Sequence, residues 1–388
     1  RKLEEEIPNH PECKDIPEIE FSPVNFPSQK STFIAGRVVC DADGEGRLNA
    51  KSILLEGDRV ISAGNSVKVD VSNLEKFAFF PGQVVALEGN NSTGQCFVAT
   101  RVHTPKSLSS KKPSLQEILQ DTKSLASRPT SVMLAAGPFT TNDNLQYWPL
   151  NELLETVDTR QPDFLVLAGP FVDCTHKKVF LGEMDTTYEQ QYENIIHTVE
   201  RKLQGTRTRV LVVPSVADAH HVPVFPQPPC RAASATTVEF LPNPATFTIN
   251  DITFGITNID VLKHMVRQEI SKGSTGKRLV RLADHILSQR SYYPLYPPAK
   301  GAPVDYQHTG MMRMETRPDV LITPGDLSYF AEKTPDGEGL CLNPGKLAKG
   351  SSGGTYAMIT IHDFKEKPKS KGFDRKVKDR VRIDIVKI

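Results

Sequence analysis

The sequence predicts an α/β chain (α+β overall) in two parts: a small all-β domain over residues 33–104 and a larger domain over 131–388. Three observations carry this. Short runs of period-two hydrophobicity, with Gly and Pro at their corners, fill 33–104 as a small barrel requires. From residue 131 the texture changes to unbroken apolar runs, SVMLAA (131–136), DFLVLAG (163–169) and RVLVVPS (209–215), which suit strands buried on both faces. A length of 388 residues also asks for two domains, at roughly 150 residues each.

Taken in order, residues 1–32 carry prolines at 8, 11, 17, 23 and 27 without a lasting period and read as an extended strap lying against a folded part. The strands expected next are FIAGRVVC (33–40), NAKSILLEG (49–57), SVKVDVS (66–72), FFPGQVVALEGNN (79–91) and QCFVATRVHT (95–104). They suggest a small Greek-key barrel of the OB type, with a five-stranded sandwich fragment as the alternative. Such barrels bind single-stranded nucleic acid through exposed aromatics. Phe77, Phe79 and Phe80 cluster beside a turn, a place that suits core packing or a protein contact better.

Residues 105–130 form a Ser/Lys/Pro linker with one short amphipathic helix, LQEILQDTKSLA. Between the second and third apolar strands, Tyr188, Tyr192, Ile195, Val199 and Leu203 fall on one helical face. Strand–helix–strand alternation makes the second domain α/β. The segments 246–258, 318–323, 355–362 and 381–386 alternate, which places them in antiparallel or outer positions. Residues 222–245 and 271–279, rich in Pro, Gly and Ser, read as excursions.

Composition narrows the function. Forty-seven Lys and Arg oppose 46 Asp and Glu, so any nucleic-acid contact is local rather than spread over the surface. The ends differ, with seven acids against three bases in 1–20 and ten bases against five acids in 363–388; both read as solvated faces. No apolar run reaches the ~18–20 residues of a membrane-spanning helix. The chain starts at Arg1 without a leader pattern, as a piece of a longer protein would. Cys13, Cys40, Cys96, Cys174, Cys230 and Cys341 make no C-x-x-C pair, which argues against structural zinc and fits a reducing compartment.

In α/β sheets, sites collect in loops after the carboxyl ends of strands. Those loops here read AAGPFTTND, LAGPFVD, VPSVADAHH and ITPGDLSYF. In that order and spacing the sequence resembles calcineurin-like metallophosphoesterases with altered loops, which implies an αββα sandwich without metal ligands. Active members carry D-x-H, G-D-x-x-D, G-N-H-D/E and G-H-x-H after those strands, holding two metals that activate water. Here the first aspartate and histidine align with Gly137 and Phe139. Gly169 and Asp173 keep the second frame, but the bridging aspartate is Pro170. In the third loop glycine, asparagine and histidine become Ser215, Val216 and Ala217, leaving Asp218. The last two histidines align with Gly325 and Leu327, and a further one with Tyr292 or Tyr293 in SYYP.

A small barrel before such a domain resembles the B subunits of the replicative DNA polymerases. LAGPFVD, VPSVADAHHVPVFPQPP, ILSQRSYYPLYPP, DVLITPGDLSYFAE and LNPGKLAKGSSGGTYA point most narrowly to the B subunits of DNA polymerase alpha. The resemblance implies a nuclear, non-catalytic scaffold for the initiation of replication, with no catalytic, cofactor-binding or metal residues and no cofactor. It implies a grip on the C-terminal region of the polymerase catalytic subunit, primase subunits reached through the complex, and contacts with other replication factors. It also implies direct DNA contact that is weak or absent, no membrane, and an N-terminal domain outside this chain.

Other features read blandly. His220 and His221 beside Asp218 suit structural hydrogen bonds better than a metal, and Asp173 and Asp218 suit bonds to loop backbones. Ser215, His220 and Asp218 lack a G-x-S-x-G elbow. GKLAKGSSGG (345–354) lacks the phosphate-loop pattern and reads as a flexible surface loop. Ser22-Pro23 and Thr104-Pro105 are possible proline-directed phosphorylation dipeptides. Two other function classes stay open: a working phosphoesterase with unorthodox ligands, and a single-strand binding module built on the barrel.

Overall fold

In the computed structural model, which describes residues 21–41, 46–110, 128–233, 235–274, 276–362 and 377–388, the period-two stretches become strands. β1 (Ser28–Cys40), β2 (Ile53–Glu56), β3 (Ser66–Asp70), β5 (Val84–Asn91) and β6 (Cys96–His103) close into a barrel in the order β1-β2-β3-β6-β5. The remaining short strand of this stretch, β4 (Phe77–Phe79), lies outside the barrel. Neighbours run antiparallel except β3 and β6, which run parallel. Alternation fills the interior: in β3, Val67 and Val69 are buried while Ser66 and Lys68 are exposed. Ile34, Val38, Leu55, Leu87 and Phe97 complete that core.

The strap and linker meet this picture in part. Residues 1–20 and the LQEILQDTKSLA helix lie outside the described residues. Within the rest, Val24 is fully buried in the barrel core, and Phe21 bridges to Phe33. Residues 28–32 belong to β1, so the barrel begins earlier than residue 33.

The chain divides into two units, and the boundary differs from a continuous second domain over 131–388. One unit joins the barrel to His264–Gly301; the other takes Ser109–Lys263 and Ala302–Ile388. Two contacts give the physical reason. The strand β13 (Ile270–Lys272) pairs antiparallel with β4. Phe80 is fully buried and its ring sits 5.1 Å from that of His285, on the helix Arg278–Ser288. Burying one such ring contributes roughly 1.5–3 kcal/mol. Phe77, Phe79 and Phe80 are therefore core side chains. Gln289 completes the join, its amide bonding the backbone N–H and C=O of Val84 at 2.8 and 3.0 Å.

The second unit is a two-sheet sandwich. Its first sheet contains β7 (Thr130–Ala136), β8 (Phe164–Ala168), β9 (Arg209–Val213), β10 (Val238–Phe240), β19 (Thr355–Ile361) and β20 (Val381–Lys387), in the order β10-β9-β8-β7-β19-β20. The second contains β11 (Ala245–Ile249), β12 (Ile252–Ile256), β14 (Val320–Ile322), β15 (Phe330–Lys333) and β16 (Leu340–Asn343), in the order β11-β12-β14-β16-β15. Alternate residues of the two sheets meet, with Leu134, Val166, Leu211 and Ile359 against Ile252, Phe254, Ile322 and Leu342. The other face of the first sheet carries α1 (Trp148–Arg160) and the helix Tyr188–Leu203 with its expected apolar stripe. The expectation of outer or antiparallel positions fits β11, β19 and β20, fits β12 only through its antiparallel pairing with β11, and fails for β14. Strands β12, β14 and β16 run parallel to one another in the middle of their sheet and are buried.

The buried carboxylate of Glu269 anchors the 264–301 insertion, accepting bonds from Arg278 Nε at 3.1 Å and Arg281 Nε at 2.8 Å. Burial acts to raise its pKa, but the approach of His285 and the bonds from Arg281 and Arg278 outweigh burial and hold it at about 2. The folded pKa lies below the ordinary 4.5, so this stability is present above that value and is lost as pH falls towards 2. Glu269→Gln should cost about 3 kcal/mol at neutral pH, leaving two guanidinium groups without their charge partner. Urea unfolding at pH 7 and pH 3 should show the difference between parent and variant shrinking at the lower pH.

Candidate functional site

The loops after β7, β8, β9, β12, β14 and β16 converge, and their backbones approach closely. A Cβ on Gly137 would stand 2.1 Å from the carbonyl oxygen of Pro170, and one on Gly169 would stand 2.4 Å from Asp218 Oδ2. Glycine is required at both positions by this approach.

Asp218 ties three backbone groups of these loops together. Its Oδ1 accepts the N–H groups of Phe171 and Val172, at 2.5 and 3.0 Å, and its Oδ2 accepts that of Ser215 at 3.1 Å. Burial pushes the carboxyl up to about 7, against the pull of those three donors. Asp173 serves its own turn, accepting from Thr175 N and Oγ1 at 2.9 and 2.8 Å. Both acids bond loop donors, as their positions suggested.

A second polar group holds the loop after β12. Asn258 Nδ2 donates to the carbonyls of Gly169 and Pro214 at 2.9 and 3.1 Å. The N–H of Asn258 bonds Asn243 Oδ1 at 2.9 Å, Asn243 Nδ2 donates to Gln227 Oε1 at 2.9 Å, and Gln227 Nε2 donates to the Ser215 carbonyl at 3.1 Å. All three amides are buried. Composition and motif spacing did not single them out; an Asn two residues after the end of the β12 strand was the available signal.

Rings fill the space between the loops. Phe139 stacks on Phe171 at 4.9 Å, Phe171 meets Tyr192 edge-on at 5.5 Å, and Tyr192 stacks on His220 at 3.9 Å. Phe139 and Phe171 are almost wholly buried, whereas Val216 is half-buried and adds little filling. His220 departs from its expected hydrogen-bonding role: neither ring nitrogen has a hydrogen-bond partner among the described residues, and the ring is held by stacking. Burial, with the neighbouring His221, pushes its pKa down to about 4. It is therefore neutral at pH 7, and its 3.6 Å approach to Asp218 is not an ion pair. Ser215 Oγ accepts from Ala217 N at 3.2 Å, so Ser215, His220 and Asp218 form no relay.

The segment 345–354 is a hairpin seated on these loops rather than a flexible surface loop, its short strands β17 (Ala348–Lys349) and β18 (Ser352–Gly353) pairing antiparallel. Leu347 is fully buried and its N–H bonds the Ala136 carbonyl at 2.8 Å. The N–H of Ala348 bonds the Pro138 carbonyl at 3.1 Å, and that of Asn142 bonds the Gly350 carbonyl at 2.9 Å. Beside the hairpin, Lys346 and Lys263 both bond Asp326, in the loop that carries Gly325 and Leu327. Tyr292 and Tyr293 are buried and belong to the unit that holds the barrel.

The donor set does not fit a two-metal centre. Gly137, Phe139, Pro170, Val216, Ala217, Gly325 and Leu327 offer no side-chain ligand. Asp173 and Asp218 already accept loop hydrogen bonds, and no three His, Cys, Asp or Glu side chains converge among the described residues.

Comparison with known proteins names the family. A family model for the B subunit of DNA polymerases alpha and epsilon matches residues 132–332, and one for the OB domain of the DNA polymerase alpha B subunit matches residues 2–104. The DNA polymerase alpha B subunit of Rattus norvegicus is 38% identical over 359 residues, 90% of this chain and 58% of the relative. The chain belongs to the family of DNA polymerase alpha B subunits. The Schizosaccharomyces pombe relative of the same name is 32% identical over 376 residues, 93% of this chain and 65% of its own length. The chain thus spans a little over half of the curated B subunits it matches. Among solved structures, Vps29 of Entamoeba histolytica complexed with zinc is 12% identical, covering 66% of this chain and 99% of its own, at a TM-score of 0.28 that carries no argument. The fold of this B-subunit chain rests on its own topology.

The approach at Gly137 gives a direct test of how closed the loops are. Gly137→Ala should lower stability by about 1–3 kcal/mol, because the contact is with backbone that has little room to give. Equilibrium unfolding in urea measures it, and a neutral outcome would contradict the close approach.

Proposed function

We propose that this chain is the folded core of a non-catalytic accessory subunit of the DNA polymerase alpha–primase complex. In this reading it is a nuclear scaffold that binds the C-terminal region of the polymerase catalytic subunit, meets primase through the complex, and serves the initiation of replication. The observation that carries the non-catalytic part is the filled loop cluster, where an aromatic column and a buried Leu347 stand in place of ligands and substrate space. The family membership supports the partner. A scaffold of this kind needs an interface of roughly 1,200–2,000 Å² or more, which two folded units can supply together.

Two experiments test the two halves. Co-purification with the C-terminal region of the catalytic subunit should give a stable one-to-one complex, and a variant lacking residues 21–108 should bind it at least about ten-fold more weakly. Equal binding by that variant would reject a two-unit interface. For the chemistry, a variant with Gly137→Asp, Phe139→His, Pro170→Asp, Val216→Asn and Ala217→His should melt below the parent and stay a poor phosphodiesterase with manganese. The surroundings of those ligands are built for rings rather than for orienting imidazole and carboxylate. Elemental analysis of the parent should find no stoichiometric Mn, Fe or Zn.

A further inference from the structure

β20 closes one side of the first sheet and β15 the same side of the second, so both are edge strands. A groove of about 320 Å³ lies where these two edges come together. Its floor is apolar, made by Ala331, Leu340, Val381 and Ile383, and its rim carries Lys333, Lys378 and Glu332. The opposite side of the first sheet ends in β10, only three residues long, whereas β20 runs for seven. An edge of seven residues presents a row of backbone donors and acceptors to an incoming strand. Ile383 and Ile385 of that edge are only partly buried.

We propose that this groove docks an extended segment of a partner protein, one that alternates apolar and acidic side chains and adds as a strand to β20. The edge fixes the backbone form of the occupant, since pairing with β20 demands an extended chain. Period two then sends alternate side chains onto the Ala331, Leu340 and Ile383 floor. Charge adds to this, since the lining sets two lysines, Lys333 and Lys378, against the single acid Glu332. Lys333 and Lys378 are exposed and make no ion pair with any described residue, and Lys387 is exposed at the end of the strand. The negative charge on β20 is already engaged, because Asp384 is paired with Arg382 at 2.8 Å. Asp379, on the short helix Val377–Arg380 before β20, does not line the groove. Two copies of this edge would bring their lysines together, which disfavours self-pairing.

The test uses the full chain and a fluorescein-labelled peptide of about eight residues, capped at its C-terminus and alternating valine and glutamate. Anisotropy should show saturable binding that weakens with salt, and hydrogen exchange should slow at residues 381–387. A peptide N-methylated at alternate residues, which cannot pair with a strand, should bind at least about ten-fold more weakly, as should one with lysine in place of glutamate. The double variant Lys333→Glu, Lys378→Glu, with surface changes that leave the melting temperature unaltered, should lose affinity to the same extent. Equal binding of the N-methylated peptide, unchanged affinity in the double variant, or no saturation up to about 1 mM would overturn the proposal. So would edge-dependent self-association in sedimentation without peptide binding.

Discussion

The carboxylate of Asp218 is where the loops after β8 and β9 are made into one structure. Three N–H groups from Phe171, Val172 and Ser215 point at a single buried side chain, and each would otherwise be an unmet donor inside the protein. An unmet buried donor costs about 1–3 kcal/mol, so removing this one acceptor exposes the fold to that cost three times. The same convergence fixes Gly169, whose missing Cβ leaves room for Asp218 Oδ2. It also sets Phe171, which must present its N–H to the acid while its ring faces Phe139 and Tyr192. Much of the geometry of the second unit's loop end follows from this one group.

Around it the chain uses two different kinds of filling. Carbonyls left over by the strand ends of Gly169, Pro214 and Ser215 are met by the amides of Asn258 and Gln227, and those amides are joined through Asn243. Rings take the remaining volume, and the Tyr192 hydroxyl donates to the Cys230 carbonyl at 2.7 Å. His220 belongs with the rings: burial keeps it neutral, and a neutral imidazole can lie flat on Tyr192 where a charged one would need an acceptor. This division is economical in charge, since a set of neutral groups can be enclosed without the desolvation that a cluster of ions would demand.

What could be read in the sequence was local. The period-two barrel strands, the apolar runs of β7, β8 and β9, and the loops lacking ligand side chains all lie within short windows. The stripe of Tyr192, Ile195, Val199 and Leu203 is likewise local. The departures are all long-range. Nothing near SKGSTGKRLVRLADHILSQR says that it pairs with a phenylalanine run roughly two hundred residues earlier, because Phe80 and His285 meet only in three dimensions. The 345–354 segment looked mobile for its glycines and serines, yet Leu347 and three backbone bonds pin it. The parallel centre formed by β12, β14 and β16 was hidden because alternation marks burial of one face, whereas these strands are buried along their whole length.

The contrast between the two ends of the second unit completes the physical picture. At the loop end, the close approaches are satisfied from within: acids by N–H groups, carbonyls by amides, space by rings and Leu347. The stability of such an end depends on its staying closed. At the open side of the sandwich the situation differs. There the sheets simply stop, at β20 and β15, with backbone groups directed outward and an apolar floor between them. Recognition by shape and backbone pairing is the chemistry that such an edge supports.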